Sequence, residues 1–93
     1  MTAATATVQI DNERVAVTEW RFAPGAETGW HRHQYDYVVV PQSTGKLLLK
    51  TSEGDKVSEL VTGRSYFRKA GVEHNVVNAN DGEFVFIEIE MKT

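Results

Sequence analysis

Two of the three histidines in this chain stand one residue apart, in GWHRHQYDYVVV (residues 29–40), and the third, His74, lies in AGVEHNVVN (70–78). Imidazole is the side chain best suited to hold a first-row divalent ion at neutral pH. Side chains alternate faces along a strand. His31 and His33, at i and i+2, therefore point to one side and can share a centre, and a third imidazole from a neighbouring strand would complete a triangle. By the same alternation Tyr35, Tyr37 and Val39 join the histidine face, while Arg32, Gln34, Asp36, Val38 and Val40 take the other. The histidine face reads as a pocket-lining stripe with its apolar end deeper. His74, Val76 and Asn78 share a face in the second segment. Each segment starts just after a glycine-containing loop.

The elements that must position these residues are short strands separated by turn signals, the pattern of a sandwich or barrel. VQI, VAVTEWRFA (15–23), WHRHQYDYVVVP, KLLLKT, KVSELV, RSYFR, EHNVVNA and EFVFIEIEM give about eight strands, and no segment supports a helix. Asp81-Gly82 is a hairpin signal, because both residues take positive φ at small cost, and it predicts that EHNVVNA folds directly onto EFVFIEIEM. Strands this many and this short, on 93 residues, close most economically as a jelly roll or small barrel, which leaves few open edges and keeps a pocket at one end. Residues 1–93 are expected to form a single domain.

Composition narrows the classes. A net charge of −3, with ten Lys and Arg residues scattered along the chain, argues against a nucleic-acid surface. The absence of cysteine removes disulfide and thiolate chemistry and suits a reducing compartment. The N-terminus, MTAATATVQI, lacks the pattern of a secretory signal. The longest apolar runs, YVVV and FVFI, fall far short of the roughly 20 residues that span a bilayer. The expectation is a cytoplasmic protein with no membrane partner.

The spacing resembles the cupin family. Its first motif falls on Gly25, His31, His33, Tyr37 and Gly45, with seven residues between Tyr37 and Gly45 where the family has six. Its second falls on Gly63, Lys69, Gly71, His74 and Asn78, with Lys69 in place of proline. More narrowly, PGAETGWHRHQYDYVVVP and SYFRKAGVEHNVVN are similar to small single-domain cupins assigned to bacterial β-alanine degradation. The resemblance implies an all-β jelly-roll β-barrel and His31, His33 and His74 as ligands of one divalent transition metal ion, with iron, zinc, nickel, manganese and copper not distinguished. It also implies dioxygenase, isomerase or lyase chemistry on a small molecule, and strand exchange through the N-terminal TVQI segment. The family's usual fourth ligand is a glutamate, and Tyr37 occupies that position. Asp36 has the wrong parity to replace it unless the strand is bulged.

The remaining candidates follow from residue chemistry. Tyr37 has three readings: a metal ligand, a group that hydrogen-bonds a metal-bound water as a catalytic residue, or a packed barrel aromatic. Neutral phenol, with a pKa near 10, is a poor ligand. Tyr35 and Trp20 are the aromatics expected to rim the pocket and touch substrate. Arg21, Arg68 and Glu88 are charges inside strands, which face solvent in the ordinary case. An inward arginine would instead clamp a substrate carboxylate, and Arg68, beside the second motif, is the candidate. Asn78 is expected to be structural. A homodimer is expected, because so small a barrel leaves edges to cover. The readings that compete are a metal-dependent enzyme acting on a small polar metabolite, a non-catalytic small-molecule-binding or sensing module, and an interaction domain with relic histidines.

Overall fold

The computed structural model describes residues 2–93. It has nine strands: β1 Thr5–Asp11, β2 Val15–Phe22, β3 His31–Arg32, β4 Asp36–Pro41, β5 Gly45–Thr51, β6 Gly54–Leu60, β7 Tyr66–Arg68, β8 Glu73–Asn78 and β9 Phe84–Met91. There is no helix among the described residues, so none is long and apolar enough to cross a membrane. All strand pairings are antiparallel, in a five-stranded sheet ordered β1-β2-β9-β4-β7 and a four-stranded sheet ordered β3-β8-β5-β6. The result is the expected all-β jelly-roll barrel, with the inner faces of both sheets forming one core.

Phe22, Phe84, Phe86, Val39, Leu47, Leu60 and Val76 are buried together, and the Phe22 and Phe86 rings lie 5.5 Å apart. These residues come from both sheets and interdigitate as sandwich cores do. Asn78, also buried, ties the barrel end together. Its Nδ2 donates to the carbonyls of Phe22, Ala23 and Gly82, and its Oδ1 accepts from Asn80. The structural role expected of Asn78 is what these bonds perform.

Two expectations change. The long strand expected over 30–41 is two strands in different sheets, which accounts for nine strands instead of eight. Backbone bonds from His33 N to Val72 O (2.9 Å) and from Gly71 N to His33 O (2.8 Å) hold the chain to the second sheet through His33. Asp36 then begins β4 in the first sheet, and its carboxylate accepts from Ala70 N at 2.8 Å. The hairpin expected at Asp81-Gly82 is also absent. β8 pairs with β3 and β5 while β9 pairs with β2 and β4. Residues 79–83 therefore cross between sheets, and Gly82 has no positive φ. Long-range pairing overrides the local turn signal here. The turn at Ser52-Glu53, by contrast, does close a hairpin, with Thr51 opposite Gly54 and Gly54 at φ 110°.

Candidate metal centre

Strand register brings the histidines together. β3 pairs with β8 so that His31 lies opposite His74, and directly opposed residues share a face. His33 follows two residues on, held by its backbone bonds to the 71–72 loop. The Nε2 atoms of His31 and His33 are 3.1 Å apart, as are those of His33 and His74. All three ligand nitrogens lie within 4.8 Å of one another. His33 and His74 are buried and His31 is half-buried.

The surrounding bonds fix how His31 presents itself. Its Nδ1 lies 2.9 Å from the Gly29 carbonyl, an acceptor, so Nδ1 carries the proton and Nε2 offers a lone pair. A backbone carbonyl on the far nitrogen is the usual way a metal-binding imidazole is oriented. Gly29 is held in turn: its N–H donates to Asn75 Oδ1 at 2.9 Å, and Thr28 Oγ1 donates to its carbonyl at 2.9 Å. Gly29 has φ 85°, a conformation that a side chain would strain.

Burial, and then the neighbouring imidazoles, push His33 down to about 3. Burial, then His31 and the Arg68 cation, push His74 down to about 4. Both are therefore neutral at pH 7. Neutral imidazoles facing one another at 3.1 Å place lone pairs where a cation can collect them, so the residues present fit a divalent ion. Three imidazoles supply no ligand charge and leave positions open to water or substrate, as catalytic sites do.

The triad opens into a cavity of about 280 Å³. That is roughly nine times the share of liquid volume held by one water, enough for a small metabolite. Its apolar wall includes Val39, Leu47, Leu49, Val76 and Phe86. Trp20 and Tyr37 also line it. The Tyr37 ring stacks on His33 at 3.9 Å between centroids and is 3% exposed. Burial raises its phenol well above the usual range, which disfavours an anionic tyrosinate. Arg68 is opposite Tyr37 in register and exposed at the cavity mouth, with its guanidinium 4.5 Å from the Tyr66 ring centroid and Nη1 donating to the Phe67 carbonyl. Arg21 faces outward and pairs with Glu19 and Glu83.

Tyr35 does not line the cavity. The parity argument that placed it there assumed one continuous strand, and the chain leaves strand geometry over residues 33–35.

Glu88, expected in the ordinary case to face solvent, is 8% exposed and lines the cavity. β9 is central in its sheet. Phe84, Phe86, Glu88 and Glu90 share one parity, and the burial of the two phenylalanines carries Glu88 inward. Across β7, β4, β9 and β2 the register runs Tyr66, Val39, Glu88, Thr18. Burial, and then the neighbouring Glu90 carboxylate, push Glu88 up to about 7. His33, Glu88 and Glu90 also bring one ligand atom each within 4.8 Å of one another, so carboxylates approach the triad from β9 instead of β4. Lys56, from β6, is a second cavity cation that the strand pattern did not single out.

Fold and site together define a cupin, and the comparisons agree: the cupin domain matches residues 18–90, so the chain belongs to the cupin family. It is 66% identical over 89 residues to the beta-alanine degradation protein BauB of Pseudomonas aeruginosa, covering 96% of this chain and 94% of that protein. A cupin domain from Bordetella pertussis Tohama I superposes with a TM-score of 0.97 at 66% identity, covering 99% of this chain and 96% of that one. A polyketide cyclase of Streptomyces resistomycificus shares the fold at TM-score 0.75 and 20% identity, covering 99% of this chain and 69% of that one.

The shifted groups make a pH prediction for metal-free protein. Glu88 holds a proton in the folded state between about 4.5 and 7 that the unfolded chain has lost, so its contribution to stability falls as pH rises through that window. His33 and His74 act oppositely: the unfolded chain binds their protons below 6.5 and the folded one does not until about 3 and about 4 respectively, so their contribution rises with pH. Glu88→Gln removes only the first effect. Calorimetric Tm differences between variant and wild type should be small at pH 4 and grow in favour of the variant up to pH 7. A difference that is flat or shrinks over this range would show that folding does not raise the pKa of Glu88.

Proposed function

We propose that the protein is a metal-dependent enzyme acting on a small polar metabolite, in the catabolism of β-alanine or a related amino acid, with His31, His33 and His74 holding one divalent transition metal ion. The observation that carries this reading is the convergence of three buried or half-buried imidazole nitrogens at one end of a metabolite-sized cavity. The pathway is supported by the name of the 66% identical relative. The bound ion would supply Lewis acidity or an activated water. The protein's own residues divide the remaining work. Tyr37, stacked on His33, holds that imidazole in place. Arg68 at the mouth draws in an acidic group, and Trp20 walls the side of the cavity. Turnover of this kind belongs to the cytoplasm, in keeping with a chain that has no cysteine.

Elemental analysis of tag-free protein should find about one equivalent of a single ion per chain. The His31→Ala/His74→Ala variant should lose it, together with any turnover of short amino and oxo acids followed by NMR. No metal in reconstituted wild type would leave a ligand-binding module as the better reading.

We further infer that the protein is a homodimer. β1 lies at the sheet edge with all seven residues exposed, including Val8 at 61% and Ile10 at 49%. An open edge of this kind is ordinarily covered. Light scattering at micromolar concentration should give twice the chain mass of 10.4 kDa. The monomer mass would exclude the dimer.

A further inference from the structure

The inner face of β9 carries a buried carboxylate for which the triad has no evident need. Glu88 is 8% exposed and makes no ion pair among the described residues. The two cations that line the same cavity, Lys56 and Arg68, do not pair with it; Arg68 is instead turned onto the Tyr66 ring. A carboxylate buried without a counter-charge is costly.

The surroundings of Glu88 are aromatic. Trp20 stands two residues along β2 from Thr18, the register partner of Glu88, and lines the same cavity. Tyr66 shares the cross-strand row of Glu88, and Tyr37 and Phe86 occupy the rows on either side. Trp20, Tyr37, Tyr66 and Phe86 all line the cavity. Aromatic rings lining one cavity with a carboxylate are the chemistry that receives an organic cation, which gains from the ring quadrupoles and from the charge together.

We propose that Glu88, with Trp20 and Tyr66, forms an ammonium subsite, and that the cavity takes a short amino acid whose amine seats on Glu88 and whose carboxylate faces the histidine triad and Arg68. The inference rests on the reading of the triad as a metal centre. It adds the polarity of the cavity: cations at the mouth, the Glu88 carboxylate on β9 with Glu90 beside it, and apolar Val39, Leu47 and Val76 between the sheets. Because a Glu88 oxygen lies within 4.8 Å of a His33 ring nitrogen, the two charged ends of the ligand are separated by only a few bonds. An ammonium held on Glu88 also supplies the counter-charge that no side chain provides.

The test is calorimetric titration of the metal-containing protein with 3-aminopropanoate, 3-hydroxypropanoate and propanoate. Wild type and Glu88→Gln are compared, with metal content measured on the same samples. Wild type should prefer 3-aminopropanoate over the other two acids by about tenfold or more, the scale of one hydrogen bond to a charged group. Glu88→Gln should lose that preference and retain both its metal and its affinity for propanoate. Equal affinities in wild type, no binding of any of the three acids, or an undiminished preference in the variant would each overturn the subsite. Loss of metal from the variant would also overturn it, by making Glu88 a metal ligand. A wild type without metal would count against the metal centre, and the amine preference would still be read from the same titration.

Discussion

The pairing of β3 with β8 is the constraint on which the site depends. It places His31 opposite His74 and, through the backbone bonds of His33 to residues 71 and 72, fixes the third imidazole beside them. Nε2 atoms 3.1 Å apart are costly to assemble without a partner, since burial and the neighbouring imidazoles both oppose protonation of His33 and His74. The fold bears that cost by clamping the loop before β3. Glu27, Thr28 and Gly29 are each bonded to Asn75 or Val76 of β8, so the loop cannot retreat and carry His31 away. The orientation of the imidazoles is thereby built into backbone geometry, as a preorganised site requires.

The same geometry explains why the chain changes sheets where it does. His33 is tied to the 71–72 loop just past the end of β3 and Tyr37 belongs to the five-stranded sheet, yet their rings stack at 3.9 Å. The short crossing at 34–35 thus makes a hinge of packed rings at the barrel mouth, with valines behind. Two imidazoles head a valine-rich run because the run enters the barrel from its rim. Val39 is 2% exposed, deep in the core.

Much of this was legible in the residues themselves. Two histidines at i and i+2, a third in a second glycine-led segment and the absence of any helical pattern suggested the barrel and a shared centre, and the resemblance to cupin motif spacing supplied the triad, whose assembly depends on the non-local pairing of β3 with β8. Three features were not legible. Tyr35 was misplaced because alternation fails where a strand breaks, and hydrophobicity does not mark the break in HQYD. The Asp81-Gly82 hairpin failed because the partner of β8 is chosen by non-local pairing. Glu88 was obscured because β9 is covered on both sides. Val85, Ile87 and Ile89 are as apolar as Phe84 and Phe86, so FVFIEIEM reads alike from either face. Only the buried company of Phe84 and Phe86 identifies which parity points inward.

Departure from the family's usual ligand set gives the site its character. With Tyr37 where a glutamate commonly stands, β4 contributes a ring that packs on His33, and carboxylates near the triad come from β9. The central claim is that one ion is held by His31, His33 and His74 together. X-ray absorption at the edge of the metal found in the purified protein tests it most directly. The account predicts multiple-scattering features of three imidazoles, reduced to one in the His31→Ala/His74→Ala variant if any metal stays bound. A wild-type spectrum with one imidazole and a shell of oxygens would contradict it, placing the ion on His33, Glu88 and Glu90 instead.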